Sequence, residues 1–114
     1  MHILCVDDDR LVLSITADLI RSMGHDVIEA QSGGDAARAI RDGIPIDVMI
    51  TDIWMPHGPG GIELAQWARQ LRPELRIIFF SGIADVETGQ SDAMLLRKPC
   101  TLRELRQAIA GATH

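Results

Sequence analysis

Carboxylates, a hydroxyl and an ammonium recur at the ends of apolar runs in this 114-residue chain. Ile3-Leu4-Cys5-Val6 closes in Asp7-Asp8-Asp9, and the run from Ile46 closes in Thr51-Asp52. The run from Ile77 closes in Ser81-Gly82, and Met94 to Leu96 closes in Arg97-Lys98-Pro99. Two carboxylates about 5 Å apart oppose each other by roughly 3 kcal/mol at an effective dielectric of about 20. A whole domain is stable by only about 5–15 kcal/mol. Three aspartates in a row therefore point to a cation, or another compensating function, at that position. Carboxylates with water and a backbone carbonyl make a hard-oxygen site suited to Mg2+. A hydroxyl and a lysine beside it suit a phosphoryl group, whose oxygens need donors and positive charge.

These groups share one site only if the apolar runs are parallel strands, because ligands of an open parallel sheet lie beyond the strands' carboxyl ends. The hydrophobic pattern supports this. Ile3 to Val6 reads as a strand, and Val12, Ile15, Thr16, Leu19, Ile20 and Met23 recur at helical spacing until Gly24. Val27 to Ala30 is a weaker strand; Ser32 caps a short helix over Gly34 to Asp42 that Gly43 ends. Ile46 to Thr51 is the third strand, and a breaker-rich loop from Met55 to Gly60 leads to a helix carrying Ile62, Leu64, Ala65, Ala68 and Leu71. Ile77 to Ser81 and Met94 to Leu96 are strands four and five. Thr101-Leu102-Arg103-Glu104 is a capping box that opens a last helix to about Ala110. Alternating strands and helices predict an α/β protein, a five-stranded parallel sheet covered on both faces. The 11 residues from Ile83 to Ala93 are short for a parallel crossover, so the fourth helix is expected to be shortened or missing.

Length predicts one domain over residues 1–114, large enough to bury a core. A net charge of −5 argues against direct nucleic-acid binding and against an anionic membrane surface. No apolar stretch is long enough to span a membrane. Cys5 and Cys100 form neither a metal spacing nor a disulfide framework, which fits a cytoplasmic location. His2, His25, His57 and His114 share no ligand spacing. Ten of the 11 basic residues are arginine, and the single lysine is Lys98.

Four motifs in order carry a resemblance to a known family: Val6-Asp7-Asp8-Asp9, Thr51-Asp52-Ile53-Trp54-Met55-Pro56 with Gly60-Gly61, Phe80-Ser81-Gly82, and Leu96-Arg97-Lys98-Pro99. Together they resemble the receiver domain of bacterial response regulators, over the whole chain, with the shortened fourth connection resembling receivers of hybrid sensor kinases. The resemblance implies a flavodoxin-like, doubly wound sheet of order 2-1-3-4-5. It implies a phosphoacceptor of two-component or phosphorelay signalling rather than an enzyme with turnover, phosphorylated by a histidine kinase or histidine phosphotransfer protein. A fused kinase or output domain would lie outside this chain. Residue by residue, Asp52 would be the phosphoacceptor, and Ser81 and Lys98 would contact the phosphoryl group. Asp8 and Asp52 would bind Mg2+ with the Trp54 carbonyl, and Asp7 would act mainly through metal-bound water. The Lys98-Pro99 bond would be cis.

The chain departs from the family's pattern at three places: the short segment before strand five, Leu95 where an aromatic switch residue is usual, and Cys100 where phenylalanine commonly follows the Lys-Pro pair. Trp54 and Ile83 would flank the path of the hydrolytic water and slow loss of the phosphoryl group. Two other readings compete. Asp7-x-Asp9 resembles the nucleophile and acid pair of haloacid-dehalogenase-like phosphatases, and a degenerate receiver would act only as an interaction module. For Asp9 itself, capping of the first helix is the expected role.

Overall fold

Residues 1–55, 58–81, 94–97 and 100–112 are described by the computed structural model. The five strands are β1 (His2–Val6), β2 (Asp26–Ala30), β3 (Val48–Asp52), β4 (Arg76–Ser81) and β5 (Met94–Arg97). Four helices, α1 (Arg10–Ser22), α2 (Gly33–Arg41), α3 (Gly61–Leu71) and α4 (Leu102–Ala112), complete the described elements. The sheet is wholly parallel with order β2-β1-β3-β4-β5. This is the flavodoxin-like order, and its one switch of direction places β1 and β3 side by side.

Buried parallel strands need apolar residues on both faces, and the sequence supplies them. Ile3, Leu4, Val6, Met49, Ile50, Ile77, Ile78 and Phe79 are all fully buried. Alternate residues point to opposite faces, which splits the core in two. Leu4, Val6, Met49, Ile77 and Phe79 pack with α2 and α3. Ile3, Cys5, Val48, Ile50, Ile78 and Phe80 pack with Leu13 and Ile20 of α1 and Leu105, Ala108 and Ile109 of α4.

The helix ends follow local chemistry. Asp9 accepts from the backbone N–H of Leu11 at 3.0 Å and of Val12 at 3.1 Å, so α1 starts two residues earlier than its first apolar contact suggested. Ser32 accepts from Asp35 N, and the α4 capping box is reciprocal, Thr101 N to Glu104 Oε1 at 3.0 Å and Glu104 N to Thr101 Oγ1 at 3.1 Å. The Thr101 N–H, and then the Thr101 side chain, bond the Glu104 carboxylate, favour its ionised form and lower its pKa. Replacing Asp9 with alanine orphans two donors at the start of α1 and is expected to cost about 1 kcal/mol in denaturant unfolding; an unchanged midpoint would contradict the capping role.

Two expectations meet a different outcome. β3 starts at Val48 rather than Ile46. Asp47 still donates its N–H to His2 O at 2.8 Å and accepts from Arg76 N at 3.3 Å, and its carboxylate takes the His2 N–H at 2.8 Å; before it, Pro45 has no N–H to extend the pairing. At the other end β3 runs one residue further and takes in Asp52, which pairs with Phe80. The segment 82–93, where a shortened or missing fourth helix was expected, lies outside the described residues, as do Lys98 and Pro99.

Candidate phosphoacceptor and metal site

The switch between β1 and β3 brings two strand ends together. Val6 pairs with Thr51, so the residues that follow, Asp7 just past β1 and Asp52 at the end of β3, stand side by side. One carboxylate oxygen each from Asp7, Asp8 and Asp52 lies within 4.8 Å of the others. Asp7 is buried, Asp52 half-buried and Asp8 exposed, so the cluster opens to solvent on one side.

Local hydrogen bonds hold the group. Asp7 N donates to Ala30 O at 3.1 Å, tying the start of the loop to β2. Asp7 Oδ1 accepts from Asp9 N at 2.9 Å, which turns the chain from β1 into α1. Asp52 Oδ1 accepts from Trp54 N at 3.3 Å, and Ile53 N donates to Phe80 O at 3.3 Å. Asp8 makes no hydrogen bond or ion pair among the described residues. The aspartate run is thus divided in use. Asp9 caps α1, Asp7 and Asp8 face Asp52, and the third carboxylate of the cluster comes from another strand.

Two glycines after Asp52 shape the approach. Gly61 N donates to Ile53 O at 3.0 Å. A methyl group at Gly61 would collide with the Asp52 carbonyl oxygen and sit 2.9 Å from its carbon. Gly58 takes φ +84°, a left-handed turn that glycine adopts without strain. The end of the breaker-rich loop is thus the turn into α3, as expected, and close approach at Gly61 is a constraint that sequence reasoning missed. The signal was the Gly-Gly pair at the helix start. Trp54, two residues past Asp52, is 58% exposed. Ser81 is the last residue of β4, and it pairs with Arg97, the residue before Lys98. The structure thus brings Asp7, Asp8 and Asp52 together. Of Ser81 it gives the place in the sheet, and Lys98 falls outside the described residues.

The response regulator receiver domain family matches residues 3–110. The chain belongs to this family. It is 32% identical to the response regulator receiver protein CpdR of Brucella abortus (strain 2308) over 95% of this chain and 92% of that protein. It is also 32% identical to the DNA-binding transcriptional regulator NtrC of Azospirillum brasilense, over 98% of this chain but 24% of that protein. The chain therefore matches nearly the whole of one relative and about a quarter of another. The crystal structure of the receiver domain of the hybrid histidine kinase CckA superposes with a TM-score of 0.87 at 29% identity, covering all of both chains. Receiver domains are phosphoacceptors of two-component signalling, and they take their phosphoryl group from histidine kinases or phosphotransfer proteins. No helix among the described residues is long and apolar enough to cross a membrane.

Proposed function

We propose that Asp52 of this receiver domain accepts the phosphoryl group, with Asp7 and Asp8 holding Mg2+. The observation that carries this reading is the convergence of Asp7, Asp8 and Asp52 from two neighbouring strands within 4.8 Å at the carboxyl edge of the sheet. Three hard oxygen donors with one open side fit Mg2+, which keeps several waters and takes few protein carboxylates. When bound, the ion neutralises charge on the phosphoryl oxygens and on the cluster itself. The protein's own part is positioning. The Trp54 N–H bond orients Asp52 for in-line attack on phosphorus, and one carboxylate oxygen forms the new P–O bond as the donor's leaving group departs. The Trp54 carbonyl would add a metal ligand. Ser81 follows Phe80, the ladder partner of Asp52, and Lys98 follows the ladder partner of Ser81. Their order along the sheet supports contact with the phosphoryl oxygens.

On this reading residues 1–114 form one receiver domain, a cytoplasmic signalling switch whose only chemistry is its own phosphorylation and dephosphorylation. The donor is a histidine kinase or phosphotransfer protein, and any kinase or output domain would be fused outside this stretch. Asp9 argues against the phosphatase alternative, because its carboxylate is committed to two backbone donors of α1 and is poorly placed to act as a general acid. Incubation with a small acyl phosphate and Mg2+, followed by peptide mapping, tests the assignment. Phosphate on Asp52 is expected; phosphate on Asp7 would favour the phosphatase reading.

Two further outcomes follow. Asp8→Asn removes one full charge from the ligand set and is expected to weaken Mg2+ binding at least about tenfold, read by titrating tryptophan fluorescence in a Trp67→Phe background, which leaves Trp54 as the reporter. An unchanged titration would remove Asp8 from the metal site. Trp54→Ala takes a large ring from beside the acceptor and is expected to shorten the lifetime of the phosphorylated protein several-fold. A lifetime equal to wild type would show that the ring does not hinder water.

A further inference from the structure

Helices α1 and α4 cover the same face of the sheet, yet they approach each other less closely than α2 and α3 do on the opposite face. A cleft of about 400 Å3 lies between them, within the range of small-molecule sites. Val12, Thr16 and Leu19 of α1 form one wall, Phe80 of β4 lines it, and Cys100 and Leu105 form the other wall. Two features set the chemistry. Among the described residues no charged side chain lines the cleft, so an ion entering beside them would lose its water without a partner there. Thr16 is 8% exposed, and its hydroxyl makes no hydrogen bond among the described residues. Buried hydroxyls are nearly always paired, so this one is left for something that enters. The Cys100 thiol is pushed up by burial and by the nearby Glu104 carboxylate, so it stays protonated and acts as an apolar wall rather than a nucleophile.

We propose that this cleft binds a neutral, mainly apolar small molecule carrying one hydrogen-bonding group, which pairs with Thr16, and that binding there alters phosphorylation. The lining provides the link. Phe80 is the ladder partner of Asp52, its carbonyl accepts from Ile53 N, and Ser81 follows it directly. Val12 lies in the helix turn capped by Asp9, and Cys100 lies two residues after Lys98. A ligand that shifts Phe80 therefore acts on the strand beside the acceptor, and by linkage phosphorylation changes the ligand's affinity by the same factor. The second half of the proposal rests on Asp52 as acceptor; the first does not.

The test uses 2-phenylethanol, with phenylacetate as its charged counterpart, titrated into the unphosphorylated protein and followed by amide NMR. Saturable shifts at Val12, Thr16, Leu19 and Phe80 are expected with the alcohol, and at most weak ones with phenylacetate. Thr16→Val is expected to weaken the alcohol about fivefold. Cys100→Phe, which fills the cleft, is expected to abolish binding; Thr16→Val serves alone where that variant does not fold. No saturable shifts, equal binding of phenylacetate, or full affinity in Thr16→Val would each overturn the site. Labelling of wild type by acyl phosphate is then measured with and without saturating alcohol. A twofold or larger change in rate is expected, and an unchanged rate would overturn the regulatory half.

Discussion

Replacing Asp52 with asparagine is expected to abolish labelling by a small acyl phosphate and to raise the melting temperature of the metal-free protein. Both effects come from one atom. Asparagine has almost the same shape, and its carbonyl oxygen still accepts the Trp54 N–H that Asp52 Oδ1 accepts at 3.3 Å. What it lacks is the charge and the second oxygen nucleophile. Without them no acyl phosphate forms, so the loss of labelling is complete rather than partial. Stability moves the other way. Oxygens of Asp7, Asp8 and Asp52 within 4.8 Å of one another repel, and solvent on the open side screens most of that energy. A net gain of about 1 kcal/mol, or ~4 °C, is expected from removing one charge. Adding Mg2+ should narrow the difference, because the ion stabilises the wild-type cluster more than the variant. Residual labelling of Asp52→Asn, measured by intact mass, would move the acceptor elsewhere. A lower metal-free melting temperature would mean that the carboxylates do not strain the fold.

That opposition explains why so much of the site was legible in the sequence. A domain does not gather like charges for stability, so Asp7-Asp8-Asp9 after four buried residues stood out before any fold was known. Periodicity then placed the strands, because Ile3, Ile50 and Phe79 are buried deeply enough to force apolar runs. Boundaries were less legible where a side chain overrode the pattern. Ile46 is apolar but precedes the ladder, next to Pro45, which has no N–H to extend the pairing. Arg10 is charged and Leu11 lies off the buried stripe, so the apolar periodicity did not mark the start of α1; the Asp9 cap did. The role of Gly61 was hidden for a different reason. Its constraint is a contact with the backbone of another element, so the Gly60-Gly61 pair marks the helix start without saying what Gly61 touches. The α1–α4 cleft was hidden likewise, since Thr16, Phe80 and Cys100 meet only when the sheet is assembled.

Gly61→Ala is expected to be the most damaging single methyl group in the described residues. Gly61 is the first residue of α3 and is buried against the end of β3. A Cβ there would collide with the Asp52 carbonyl oxygen and stand 2.9 Å from its carbon and 3.0 Å from Ile53 Cα. All three atoms are backbone, so no side chain can swing aside. Either α3 lifts from the sheet, losing contacts of Leu64, Ala65 and Ala68 with the core, or the peptide after Asp52 turns. The cost is expected to be about 3 kcal/mol, the upper part of the range for an overpacked site. If the peptide is what yields, the acceptor carboxylate moves with it. A misplacement of ~1 Å can slow a reaction about a hundredfold. Gly34→Ala is the internal control. Gly34 is exposed and helical, with only Ser32 Oγ at 3.7 Å from an added Cβ. Alanine there should stabilise by about 0.5–1 kcal/mol, since glycine is the poorer helix former. Urea unfolding of both variants, with labelling rates measured well below the transition, separates the two routes. Loss of stability with normal labelling means that α3 moved, and slow labelling means that Asp52 did. A Gly61→Ala protein with wild-type stability and labelling would show that this contact constrains neither.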